Sequence, residues 1–153
     1  MDTHELAYIA GLVDGEGYIG LASAHGVLAG DYCSPQVMVG MTDEPIILWL
    51  HSKFPCNYRR KKPVKLETHK PCHMLQWRCT TAIEFLAAIL PYLRVKRRQA
   101  ELVIEMGRLP LSNERGRFCY QNPLPDSVRA ERCRLFKLVK DLNRRGPLAT
   151  PTA

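Results

Sequence analysis

Two carboxylates alternate with glycines in Asp14-Gly15-Glu16-Gly17, directly after an apolar stretch. A carboxylate in such a place can accept backbone N–H groups and hold a turn. It can also offer oxygen to a hard cation such as Mg²⁺, or simply face water. Taken alone, Glu16 reads as an exposed acid in a helix-to-strand turn, and Asp14 as an acid that fixes the helix end by hydrogen bonds. The cations are clustered. Arg59-Arg60-Lys61-Lys62 and Arg94-Val95-Lys96-Arg97-Arg98 form two dense runs, and Arg144-Arg145 closes the last helical stretch. The net charge is +7 over 153 residues. Clustered Lys and Arg point toward nucleic acid, with solubility or an anionic membrane surface as the plainer alternatives. No lipidation motif favours the membrane. The six cysteines contain no C-x-x-C pair, so zinc-site spacing is absent even though His69, Cys72, His73 and Cys79 form a loose group. Reduced, buried thiols are the expected state.

Hydrophobic periodicity shows which elements must carry these groups. Residues 3–14 read as a helix: Asp2 and Glu5 are spaced as a capping box, and Leu6, Ile9 and Val13 form one apolar face. Ala7, Gly11 and Gly15 recur every four residues on another side. Small residues at that spacing let a second backbone approach closely, which would compensate for a glycine inside a helix. Strands are expected at 18–27 and 35–42, where Val37, Val39 and Met41 alternate with Gln36, Met38 and Gly40. Asp43 or Thr42 caps a helix through Lys53, with Pro45 in its first turn. A second strand pair follows at 57–62 and 73–79, and Thr80 or Thr81 opens a helix that Pro91 ends. Further helices are expected over 94–106 and 127–145, joined by a proline- and glycine-containing connection over 107–125.

This order implies an α+β domain over 1–146, an antiparallel sheet with helices on one face, and a frayed tail at 147–153. No internal repeat is present. The free sheet face could lie in a DNA groove, as in other β-sheet readers. Gln36, Tyr58, Arg60, Lys62, Gln76 and Arg78 are the candidates for reading bases there, since Arg pairs with guanine and Gln with adenine. The phase of strand 73–79 stays open by one residue. Trp49 and Trp77 read as core. No apolar run reaches the ~18 residues of a membrane span. The N-terminus lacks the basic start and cleavage site of a signal peptide, so an intracellular protein is expected.

Residues 9–17, IAGLVDGEG, resemble the nine-residue motif of the LAGLIDADG homing endonucleases, matching at Gly11, Leu12, Asp14 and Gly17 with an acid at Glu16. Leu90-Pro91-Tyr92-Leu93-Arg94-Val95-Lys96-Arg97-Arg98-Gln99-Ala100 resembles that family's P-[YF]-L-x-x-K-x-x-Q-A segment. The α-β-β-α-β-β-α order matches as well, and the resemblance covers roughly residues 3–106. It implies a single-motif homodimer whose helices meet through Ala7, Gly11, Leu12 and Gly15. It also implies a site-specific double-strand cut in a near-palindromic DNA target, with short 3′ overhangs and Mg²⁺ (or Mn²⁺) as cofactor. Glu16, with the Gly15 carbonyl, would be the metal ligand, and Lys96 the active-site lysine. Asp43 falls where some relatives place a water-positioning glutamine. It could orient water or merely cap the following helix. Ile47 stands where some relatives carry a phosphate-contacting arginine. Arg94, Arg97 and Arg98 would bind phosphate. The alternative on the same scaffold is an intron RNA maturase or a non-cleaving regulator.

Overall fold

Apolar alternation builds the sheet, and the sheet determines where the helices can pack. The computed structural model describes residues 1–22, 33–61, 70–110 and 124–144. Helix α1 (Thr3–Glu16) runs without a connecting residue into strand β1 (Gly17–Ala22). Strand β2 (Ser34–Met41), helix α2 (Glu44–Lys53) and strands β3 (Asn57–Lys61) and β4 (Cys72–Arg78) follow. Helix α3 (Cys79–Ile89), a 3-10 turn (Leu90–Tyr92), helix α4 (Arg97–Arg108) and helix α5 (Asp126–Leu142) complete the described elements. The α+β class and the α-β-β-α-β-β-α order expected from the sequence are present.

The four strands form one sheet in the order β1-β2-β4-β3, with every neighbouring pair antiparallel. Its register separates two faces. Ile19, Val37 and Trp77 lie in one row, and Val39, Leu75 and Tyr58 in another. Ile19, Val37, Val39, Leu75 and Trp77 are buried, so this face carries the core. Trp77 stacks on Phe85 of α3 with centroids 4.2 Å apart, and its indole N–H donates to the Phe54 carbonyl at 3.2 Å. Ile9, Ala10 and Val13 of α1 join the same core, as do Leu135 and Val139 of α5. Full burial of a Val, Leu or Ile side chain is worth ~1.5–3 kcal/mol. Alternation of strand side chains puts Tyr18, Gln36, Met38, Gln76 and Arg78 on the opposite, open face.

Several boundaries differ from the sequence expectation, three of them beside candidate residues. Helix α1 continues to Glu16, so that acid is the last helical residue rather than a residue beyond the helix. Helix α4 begins at Arg97, not at residue 94, because the N–H groups of Arg94, Val95 and Lys96 are drawn to the Asp14 carboxylate. Strand β4 stops at Arg78, and α3 starts at Cys79, which adopts a positive φ of 50°. The expected strand continuation over 23–27, Lys62, most of the 107–125 connection and the 147–153 tail lie outside the described residues.

Candidate active site

The end of α1 is fixed by the chain that enters α4. Asp14 Oδ2 accepts from the backbone N–H of Arg94 at 2.8 Å and of Val95 at 3.2 Å, and Oδ1 from that of Lys96 at 2.9 Å. Burial works to raise the pKa of this carboxyl, but the three N–H donors and the Lys96 charge outweigh it and hold it below its ordinary value. The Lys96 side chain returns the contact. Its Nζ donates to the carbonyls of Val13 at 2.9 Å and Asp14 at 2.6 Å, two acceptors in the last turn of α1. A cation on the carbonyls of the last turn complements the helix dipole. Burial lowers the Lys96 pKa, while the nearby Asp14 and Glu16 charges oppose that shift.

The next residues turn this joint outward. Gly17 donates its N–H to the Val13 carbonyl and begins β1. A Cβ at Gly17 would lie 2.6 Å from that same oxygen, so only glycine allows the helix to pass directly into the strand. Glu16 is exposed just before this junction. It lines a pocket with Tyr18, Lys96, Gln99, Asn143 and Arg144. Tyr18 belongs to the open sheet face, so the acid and the amine stand at the margin of that face. Asn143 was not singled out in the sequence, and Gln99 entered only as part of the Leu90–Ala100 segment. Arg144 carried only the general signal of a basic residue near a helix end.

Asp43 is the N-cap of α2, where its Oδ1 accepts from the Ile46 N–H at 3.1 Å. Of the two roles open to it, capping is the one its contacts display. Ile47 is fully buried. Among the described residues, no group of three or more His, Cys, Asp or Glu side chains could hold a metal ion. Glu16 offers one exposed carboxylate, and Gly15 lines the same pocket. That donor set suits Mg²⁺, which keeps several waters and commonly takes only one or two protein carboxylates alongside phosphate oxygens.

The small-residue stripe is bare. Ala7, Gly11 and Gly15 are exposed, and Leu12 is half-buried. A Cβ built on Gly11 or Gly15 would meet nothing within 4 Å. Arg94 and Arg97 line the groove beside Ala7 and Gly11, at the flank of this stripe. Arg97 and Arg98 are both engaged with Glu101, at 3.3 and 3.1 Å.

On the sheet, Gln36 sits opposite Arg78, and Gln76 opposite Met38 and Asn57. Oriented with its amide oxygen toward them, Gln76 accepts from Gln36 Nε2 and from the Arg78 guanidinium. These residues lie on the sheet face opposite the core, where Gln36 and Gln76 each keep only 8% of their surface exposed. Tyr58 and Arg60 do not. Tyr58 pairs with buried Leu75 and Arg60 with buried His73, so both side chains take the helix-side face of β3. The Tyr58 hydroxyl lies 2.7 Å from His73 Nδ1 and 3.2 Å from Glu44 Oε1, which spends it on internal contacts. The residues that β3 aligns with Gln76 and Met74 are Asn57 and Arg59, followed by Lys61 two residues on. The expectation erred by one residue because β3 is a polar edge strand with almost no buried position to fix its phase.

No protein-family model and no curated protein matches the sequence. Solved structures do. One is the homing endonuclease I-CvuI in complex with its target in the presence of Ca, at 24% identity and a TM-score of 0.67, covering 96% of this chain and 86% of that one. A second is the archaeal intron-encoded homing endonuclease I-Vdi141I complexed with DNA, at 13% identity and a TM-score of 0.66, covering 96% and 89%. The homing endonuclease I-TnaI aligns at 17% identity and a TM-score of 0.55, covering 95% and 92%. The chain thus has the fold of the LAGLIDADG homing endonucleases. Its sequence resemblance to them is carried by residues that the fold brings together, Asp14 and Glu16 of α1 and Lys96 before α4.

Proposed function

We propose that this protein is a site-specific DNA endonuclease of the LAGLIDADG type, working as a homodimer with Mg²⁺ (or Mn²⁺). The observation that carries this reading is the placement of an unencumbered Glu16 carboxylate beside the Lys96 amine at the margin of an open, polar sheet face. Hydrolysis of a phosphodiester needs an activated water and relief of charge on the leaving oxygen. A divalent ion held by Glu16 and the Gly15 carbonyl supplies both when bound. Lys96 brings its amine next to that position, where a positive charge can stabilise negative charge building on the phosphate. Asp14 does not enter the chemistry. It positions Lys96 by fixing the turn before α4.

Dimerisation follows from the same helix. Two copies of the Ala7/Gly11/Gly15 stripe, facing each other about a two-fold axis, would bring two Glu16 residues near that axis. Each could then act on one strand of a near-palindromic target, leaving short 3′ overhangs. Gln36, Gln76 and Arg78 would read bases from the open face, joined by Arg59 and Lys61 in place of Tyr58 and Arg60. Lys62, which lies outside the described residues, keeps the standing of a sequence expectation. Arg94, Arg97 and Arg98 would serve phosphates nearer the helix pair. A DNA-bound, intracellular protein encoded by a mobile intron is the setting that fits, and among the described residues no helix is long and apolar enough to cross a membrane.

Incubating the protein with a random-sequence DNA library and Mg²⁺, then recovering cut ends, tests the activity and its symmetry together. A symmetric cut motif is expected. Glu16→Gln should abolish the cutting while leaving DNA binding largely intact, and undiminished cutting by that variant would sink the mechanism. The occupation of Asp43 as a helix cap, with apolar Ile47 buried one turn on, favours a second reading: a non-cleaving regulator or intron RNA maturase. Specific binding of RNA with no nicking of DNA would select it.

A further inference from the structure

The Glu16 pocket receives charge from an unexpected direction. No residue of α2 lines it. Lys96 is the nearest cation from α4, but two donors of its ammonium group are already committed to the carbonyls of Val13 and Asp14. The other cation lining the pocket is Arg144, from the residues that close α5.

We propose that Arg144 is the phosphate-binding cation of the Glu16 site, supplied by the residues that follow α5. This rests on the nuclease reading above and adds to it the residue that would hold the phosphate backbone at the cut. The backbone of Arg144 is well anchored. Leu135 and Val139 bury α5 in the core, Asn143 Nδ2 donates to the Ile19 carbonyl at 2.8 Å, and the Arg144 N–H donates to the Asp141 carbonyl at 3.2 Å. The side chain, in contrast, is exposed. An anchored backbone with a free guanidinium can present two parallel N–H donors to two oxygens of one phosphate, in a planar fork that a lysine ammonium lacks.

The surroundings of Arg144 extend the same electrostatic track. Lys137 and Lys140 are three residues apart on α5, and Arg144 follows two residues past its end. All three line a second cleft, which also contains Tyr18 and the acid Asp141. Tyr18 and Arg144 belong to both clefts, so the basic side of α5 leads to the Glu16 pocket. A polyanion lying along that side of α5 and over Tyr18 would bring a phosphate to Arg144 and Glu16 together.

The test compares wild type, Arg144→Ala, Arg144→Lys and Glu16→Gln in two assays. The first is affinity for short random-sequence DNA duplexes as a function of KCl. Each lost phosphate contact lowers the slope of log affinity against log salt by about 0.9, so Arg144→Ala should lose about that much per bound protomer and Glu16→Gln should not. The second is the single-turnover cutting rate on the site recovered from the library. Arg144→Ala should fall ~10–1,000-fold, the range seen when one charge-stabilising donor is removed, and Arg144→Lys should recover part of it. An unchanged slope overturns the proposal. So does a reduced slope with an unchanged cutting rate, because the contact then lies away from Glu16. Wild type that binds DNA but never cuts defeats the nuclease reading instead, and the salt slope of Arg144→Ala then decides the phosphate contact by itself. Thermal melting of each variant separates these outcomes from simple loss of fold.

Discussion

The two ends of α1 are both tied to distant parts of the chain, by different chemistry. At its start, Glu5 Oε1 accepts from Lys53 Nζ at 2.6 Å, and the two side chains keep 30% and 33% of their surface. At its finish, Asp14 accepts from three backbone N–H groups, and Lys96 donates to two backbone carbonyls. The first tie must hold two long side chains in one rotamer each, in contact with water, and loses most of its Coulomb gain to screening and entropy. The second uses partners that the backbone has already fixed. A residue next to the second tie inherits a defined position, and Glu16 is that residue.

Asp14→Asn should break the contrast most strongly. It swaps a charged acceptor for an amide, one end of which is a donor facing other donors. A loss of about 2 kcal/mol is expected, below the sum of three charge-assisted bonds because two of them are solvent-accessible. Urea titration should show a lower midpoint with an unchanged slope, and no change in midpoint would remove Asp14 from the account. The pH dependence sharpens this. The Asp14 carboxyl is held below its ordinary value of 3.8, so its contribution is complete above that value and disappears as pH falls through the lower folded-state pKa. The gap in stability between wild type and Asp14→Asn should therefore close only in strong acid.

A smaller effect is expected midway along the helix. Gly11→Ala meets nothing within 4 Å in the single chain, and by propensity alone should strengthen α1 by about 1 kcal/mol. If two α1 helices meet there, the added methyl should weaken self-association instead. Sedimentation at several concentrations should show more monomer, and unaltered assembly would move the subunit contact elsewhere. The smallest change is expected from Lys53→Met, which should barely shift the melting temperature. A shift as large as that of Asp14→Asn would erase the distinction between the two ends.

What could be read from the chain followed burial. Strand β2 was legible because Val37 and Val39 must face the core, and the same pressure on Leu75 and Trp77 gave Gln76 and Arg78 their side. Strand β3 has no fully buried residue, so nothing in its composition distinguished Tyr58 and Arg60 from Asn57, Arg59 and Lys61. The start of α4 was misplaced for another reason. Helical periodicity runs back to residue 94, but a carboxylate from α1 competes for exactly the N–H groups at issue, and such long-range competition leaves no local pattern. Arg144 reaches the pocket through the packing of α5, which spacing cannot reveal. Glu16 was legible because its neighbours in sequence, Asp14 and Gly17, are also the residues that set its position.

Lys96 has a further consequence for any nucleic acid that approaches. A helix that ends beside a phosphate presents it with the wrong pole, since the last carbonyls carry partial negative charge. By drawing the Val13 and Asp14 oxygens onto its own ammonium, Lys96 acts as a built-in counterion that shields that pole. The helix can then aim its final residue at a polyanion without the repulsion its own peptide dipoles would otherwise impose.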